Sequence, residues 1–130
     1  MDEVYLKRQL ALNRDRVATL ARGISEDLTC WKPNEESWSI LEVICHLADE
    51  EEFDFPVRLQ MILEKSEKDW PQIDPEGWVT EHNYIEADLF ETLNRYVNLR
   101  NVALAWLDSL ENPDWDIVYE APFGEITAGD

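Results

Sequence analysis

Between Asn83 and Asn112, apolar side chains recur every third or fourth residue: Ile85, Leu89, Leu93, Tyr96, Ala103, Leu107 and Leu110. This spacing predicts an α-helix of about seven turns with one apolar stripe. Such a helix must be covered by others, which already commits the chain to a helical bundle. Asn83 with Glu86 is a cap signature for its start, and Asn112-Pro113 ends it. Arg100 alone breaks the stripe. A guanidinium on that face needs a partner, either an internal carboxylate that holds two helices in register or an anionic ligand suited to its planar fork.

Two further helices are predicted upstream. Leu6, Leu10, Val17, Leu20 and Ile24 mark the first, from about Asp2 to Gly23. The second starts at Ser39, where Ser39 and Glu42 have capping-box spacing and Trp38 and Val43 can form the staple. Its apolar face is Ile40, Ile44, Leu47 and Ala48, continuing to Leu59, Ile62 and Leu63, and Pro56 predicts a kink or break. The stretch 25–39 reads as a polar loop. Residues 65–82 hold two prolines and a glycine without helical period, so they read as a long crossover that would let the second and third helices lie parallel. After Pro113 the chain reads as irregular or extended. It closes on Thr127-x-x-Asp130, the pattern of a helix start, with Ala128 and Gly129 as its first positions. The expected architecture is a single all-α domain over residues 1–130: a four-helix bundle whose fourth helix lies outside these residues.

At 130 residues the chain suits one domain. Its formal charge of −18 repels phosphate backbones and anionic lipid, so neither nucleic acid nor membrane is an expected partner. The acidic, amphipathic start is unlike a signal peptide and no apolar run approaches the ~20 residues of a span, so a cytoplasmic protein is expected. Cys30 and Cys45 do not form a CxxC pair. Cys45 beside His46 reads as a small buried residue, because neighbours i and i+1 on a helix point apart.

His46 and Glu50 lie one turn apart on a flank that continues to Phe53 and Val57. They could share a divalent metal, Glu50 could orient the imidazole, or the histidine could simply bond a neighbour inside the bundle. Two donors are fewer than the three protein ligands of a catalytic zinc site. Residues 48–54, ADEEEFD, hold five acids in seven positions and read as a solvated helix face. His82 reads as a solvent-facing residue just before the third helix; a site of His46, Glu50 and His82 is the least favoured arrangement. Trp31 and Trp38 read as core or staple groups near His46.

The stretch WKPNEESWSILEVICHLADEEEFDFPVRLQMIL resembles the DinB/YfiT-like superfamily: a Trp-x-Pro loop, Trp-Ser before a helix bearing His-Leu-Ala-Asp-x-Glu, then Arg-Leu and an apolar end. The likeness extends through YIEADLFETLNRYVNLRNVALAWLDSL, with Arg100, to FGEITAGD. The resemblance implies a four-helix bundle, often dimeric, with a divalent metal, zinc or nickel, held by three histidines. One corresponds to His46; two belong to a His-x-x-x-His on the last helix, which residues 1–130 do not include. Glu50 and Arg100 are then accessory. The implied activities are metal-dependent hydrolysis and transfer of low-molecular-weight thiols, with a small thiol as substrate, and the chain alone would be inactive. The alternative is a non-catalytic helical module that self-associates or takes a partner helix.

Overall fold

A computed structural model describes residues 2–130. Helix α1, Glu3–Ala21, is capped by Asp2, whose carboxylate accepts the Tyr5 N–H, and the chain leaves it through Gly23 at φ +76°. The expected loop then contains a short helix α2, Glu26–Cys30, started by the Ser25 hydroxyl. Helix α3, Ile40–Asp49, begins with the predicted capping box: Ser39 Oγ accepts from Glu42 N, and Glu42 Oε2 accepts from Ser39 N at 2.7 Å. Its buried face is Leu41, Ile44, Cys45 and Ala48, rotated from the expected one, and Ile40 is partly exposed.

The break predicted at Pro56 takes an unexpected form. Residues Glu50–Asp54 wind as a π-helix before α4, Phe55–Leu63, starts with the proline in its first turn. Proline lacks an N–H and its ring collides with the carbonyl four residues earlier. A wider turn immediately upstream relieves both constraints without ending the helix.

The connection 64–88 is not irregular throughout. Asp74 caps a short helix α5, Pro75–Glu81, by accepting the Gly77 N–H. Asn83 is in the left-handed region at φ +50° and makes no cap; Tyr84–Glu86 is a single 3-10 turn. The long helix α6, Leu89–Ser109, therefore starts later than the stripe suggested, at Asp88, which accepts from Glu91 N. Ile85, the first stripe residue, is left exposed outside it.

Helix α6 lies between α1 and α3. Lys7 Nζ donates to Leu107 O and Arg14 to Asn101, so α1 runs against α6. Asp49 meets Arg95 and Glu51 meets Arg100, so α3 and its π turn run with α6. Ala18, Ala21 and Ala48 let the three helices approach around Ile44, Leu93 and Tyr96. A second core of Leu41, Cys45, Trp78 and Tyr84 seats the connection on the other side of α3.

The all-α expectation needs one correction. Strands β1, Val118–Ala121, and β2, Gly124–Thr127, pair antiparallel with Ala121 opposite Gly124. Pro122 and Phe123 make the turn, and Gly124 takes φ +126°, a conformation favouring glycine. Asp130 Oδ2 accepts from Thr127 N at 2.7 Å and from Thr127 Oγ1, the acid's half of the expected cap, while residues 128 and 129 form a turn.

Candidate functional site

The five-acid segment is the largest departure from expectation. It is not a solvated face: Asp49, Glu50, Glu51 and Asp54 are all buried. The π turn brings these acids inward and most of them meet a cation. Asp49, at 1% exposure, accepts from Tyr84 Oη at 2.6 Å, His82 Nδ1 at 2.6 Å and Arg95. Burial favours the neutral acid, but these three donors outweigh it and hold Asp49 below the usual carboxylate range. Arg100 forms a forked pair with Glu51, its Nε 2.7 Å from Oε2, and also donates to Leu10 O. The internal carboxylate weighed as Arg100's partner is thus Glu51, and the pair ties α1, the π turn and α6 together.

His82 is exposed, as expected, yet it is not without partners. Its ring stacks on Trp78 and bonds Asp49, away from any pairing with His46. Trp31 is exposed, whereas Trp38 meets the His46 ring edge-on with centroids 5.0 Å apart. Cys45 is buried, and burial pushes its thiol up to about 11, as suits a core residue.

His46 and Glu50 do come together. Nε2 lies 3.6 Å from Glu50 Oε1, and the side chains are 24% and 10% exposed. They form a wall of an open cleft of roughly 700 Å3, shared with Trp38, Leu47, Phe55 and Asp74. Burial depresses the His46 pKa, with the nearby Asp49 and Asp54 charges opposing, so the ring is held in its neutral form. Burial, a hydrogen bond with Asp54 and the Asp54 charge push Glu50 up to about 7. Arg58 Nε sits 2.6 Å from Asp54 Oδ1, an ionic contact without hydrogen-bond alignment. Sequence reasoning passed over Asp54 and Arg58. The signal was the spacing His46-x3-Glu50-x3-Asp54-x3-Arg58, which the π turn keeps in one row in place of the expected Phe53 and Val57.

These donors fit part of a metal site. His46 Nε2 is the nitrogen that faces Glu50, and burial lowers the imidazole pKa, which favours the neutral ring that ligates; Nδ1 is buried without a partner. Metal–ligand bonds of about 2.1 Å in a tetrahedral arrangement hold donor atoms about 3.4 Å apart, close to the observed separation of Nε2 and Oε1. Among the described residues no group of three or more His, Cys, Asp or Glu is arranged to hold an ion, so the pair offers two positions of a coordination sphere. None of the described helices is long and apolar enough to cross a membrane.

The fold and cleft define the class: a mostly helical bundle with a histidine–carboxyl pair on the wall of an open cleft. The chain belongs to the DinB superfamily, which it matches over residues 9–130. Its structure is similar to YfiT from Bacillus subtilis, described as a probable metal-dependent hydrolase with an unusual four-helix bundle topology. The TM-score is 0.74 at 18% identity, covering 94% of this chain and 73% of YfiT, and the likeness is one of fold. No curated protein matches the sequence.

Proposed function

We propose that the protein is a divalent-metal-binding bundle in which His46 is a ligand to zinc or nickel and Glu50 is the accessory carboxyl beside it. The observation that carries this is the His46–Glu50 pair, with donor atoms 3.6 Å apart on a cleft wall. The reaction class is hydrolysis or transfer of a low-molecular-weight thiol. When bound, the ion would lower the pKa of water or thiol and stabilise developing charge. The chain's own residues supply the rest. Trp38 and Phe55 wall the cleft, Trp38 fixes the imidazole plane, and the Arg100–Glu51 pair holds the π turn that presents Glu50.

The remaining donors belong, in this proposal, to a fourth helix beyond the hairpin, with the 64–88 connection serving as the bundle's crossover. An apolar groove of about 320 Å3 lined by Leu10, Phe55, Leu59, Ala103 and Leu107 is a suitable seat for such a helix. We further assign the protein to the cytoplasm as a homodimer without nucleic-acid or membrane partners, in keeping with its charge of −18. Calorimetric titration with NiSO4 and ZnSO4 of protein that includes the proposed fourth helix tests the metal assignment: one ion per chain is expected, lost in His46→Ala. Absence of binding, or binding unchanged in that variant, refutes it. The same groove supports the alternative, a non-catalytic module that self-associates or takes a partner helix. A melting temperature that rises with protein concentration, without metal dependence, would favour it.

A further inference from the structure

His46, Glu50, Asp54 and Arg58 stand at intervals of four along one flank of a helix whose pitch changes beneath them. On a regular α-helix a row spaced by four drifts about 40° per step. The π turn at Glu50–Asp54 places more residues in one turn and rotates the row back, so all four side chains share one edge. Their exposures are 24%, 10%, 6% and 29%. The far end is anchored: the Arg58 guanidinium lies 5.3 Å from the Trp70 ring centroid and pairs with Asp54. Trp70 in turn packs on Tyr119 of the hairpin.

We propose that Asp54 and Arg58 are positioning residues for the His46–Glu50 pair: Arg58 holds Asp54, and Asp54 engages the Glu50 carboxyl and fixes its plane beside the imidazole. For the metal this rests on the function proposed above; for the geometry it does not. Two buried carboxyls one turn apart, with a single guanidinium that pairs with Asp54 alone, are costly, and a core selected for stability alone would replace one of them with an apolar residue. Such an arrangement is typical of an outer shell that orients a ligand. Arg58 makes the arrangement tolerable, because its guanidinium lies 2.6 Å from the Asp54 carboxyl and offsets that charge.

Two measurements test this. In the metal-free protein, the imidazole 15N resonances of His46, identified by their loss in His46→Gln, should shift in Asp54→Asn. The same substitution should leave them in place when Glu50→Ala is already present. Second, the Kd for Co2+ should rise about tenfold in Asp54→Asn. In the Glu50→Ala background it should change by no more than about twofold. Arg58→Lys should retain most of the affinity that Arg58→Ala loses, with melting temperatures confirming that each variant folds. If Asp54→Asn does not fold, the two Arg58 variants supply the same comparison across both backgrounds. Equal effects of the Asp54 or Arg58 substitutions with and without Glu50, or unmoved His46 resonances, overturn the proposal. Wild-type protein that binds no Co2+ overturns the metal assignment alone, and the imidazole resonances still decide the positioning.

Discussion

Replacing Asp49 with alanine should destabilise the protein by about 3 kcal/mol. Asp49 gathers donors from three segments onto one buried carboxylate: His82 after α5, Tyr84 in the 3-10 turn and Arg95 on α6. Its loss strands them unequally. Tyr84 is 2% exposed, so its hydroxyl is left dry at a cost of about 1–3 kcal/mol. His82 and Arg95 are 31% and 43% exposed, so water recovers much of their loss and together they cost about 1 kcal/mol. For 130 residues, a 3 kcal/mol loss lowers Tm by about 10 °C. Urea unfolding followed by circular dichroism at neutral pH measures this directly. Tyr84→Phe alone should cost about 1 kcal/mol, whereas in Asp49→Ala it should recover about 1–3 kcal/mol, because it removes the hydroxyl left dry there. The pH dependence has a definite sign. The folded-state pKa of Asp49 lies below the usual value, so the unfolded chain binds its proton first on acidification. The stability it provides is complete above that usual value, near 3.8, and is lost as pH falls through the depressed one. The gap between wild type and Asp49→Ala should therefore close below about pH 4. A cost under 1 kcal/mol, or a Tyr84→Phe effect undiminished in the double variant, would refute the hub.

Arg100→Leu should cost about 3–5 kcal/mol in thermal denaturation, because it leaves Glu51 buried without a cation; pairing it with Glu51→Leu should recover most of that loss. Thiol titration with Ellman's reagent should modify exposed Cys30 promptly. Buried Cys45 should react only as the protein unfolds, and two equally fast thiols would contradict the packing of α3 against α5.

The features readable from sequence were those carried by neighbours on one helix. Ser39 and Glu42 are three apart, His46 and Glu50 four apart, and Pro56 acts on its own preceding turn; all three were found where expected. The acids were misread because their partners are distant: Asp49 meets residues 33, 35 and 46 positions away, and Glu51 one 49 away. A charge run whose counter-ions, Arg58 excepted, lie far away in sequence looks solvated until the fold supplies the cations. The π turn was illegible for another reason. It breaks the 3.6-residue period on which helical faces are assigned, which is why Phe53 and Val57 were placed where Asp54 and Arg58 belong. Helix α5 was missed despite a usable signal, Asp74-Pro75, because seven residues are too few to show a period. The two strands fall in the stretch read as irregular or extended, and four residues each are too few to show the alternation that would mark them as paired.

The acids of the run also differ in a way that points to function. Asp49 is met by Arg95, Glu51 by Arg100 and Asp54 by Arg58, and even half-exposed Glu52 lies 3.6 Å from Arg95. Glu50 is 8% exposed and has no Lys or Arg at ion-pair distance among the described residues; its nearest ionisable contacts are His46 and Asp54. Had the run been shaped for stability alone, this position would be the easiest to make apolar, since no helix depends on it for register. It is instead the one acid of the run that forms the cleft wall together with His46. A buried carboxyl left without its own cation, 3.6 Å from an imidazole nitrogen on a cleft wall, is the arrangement on which the proposed metal site rests.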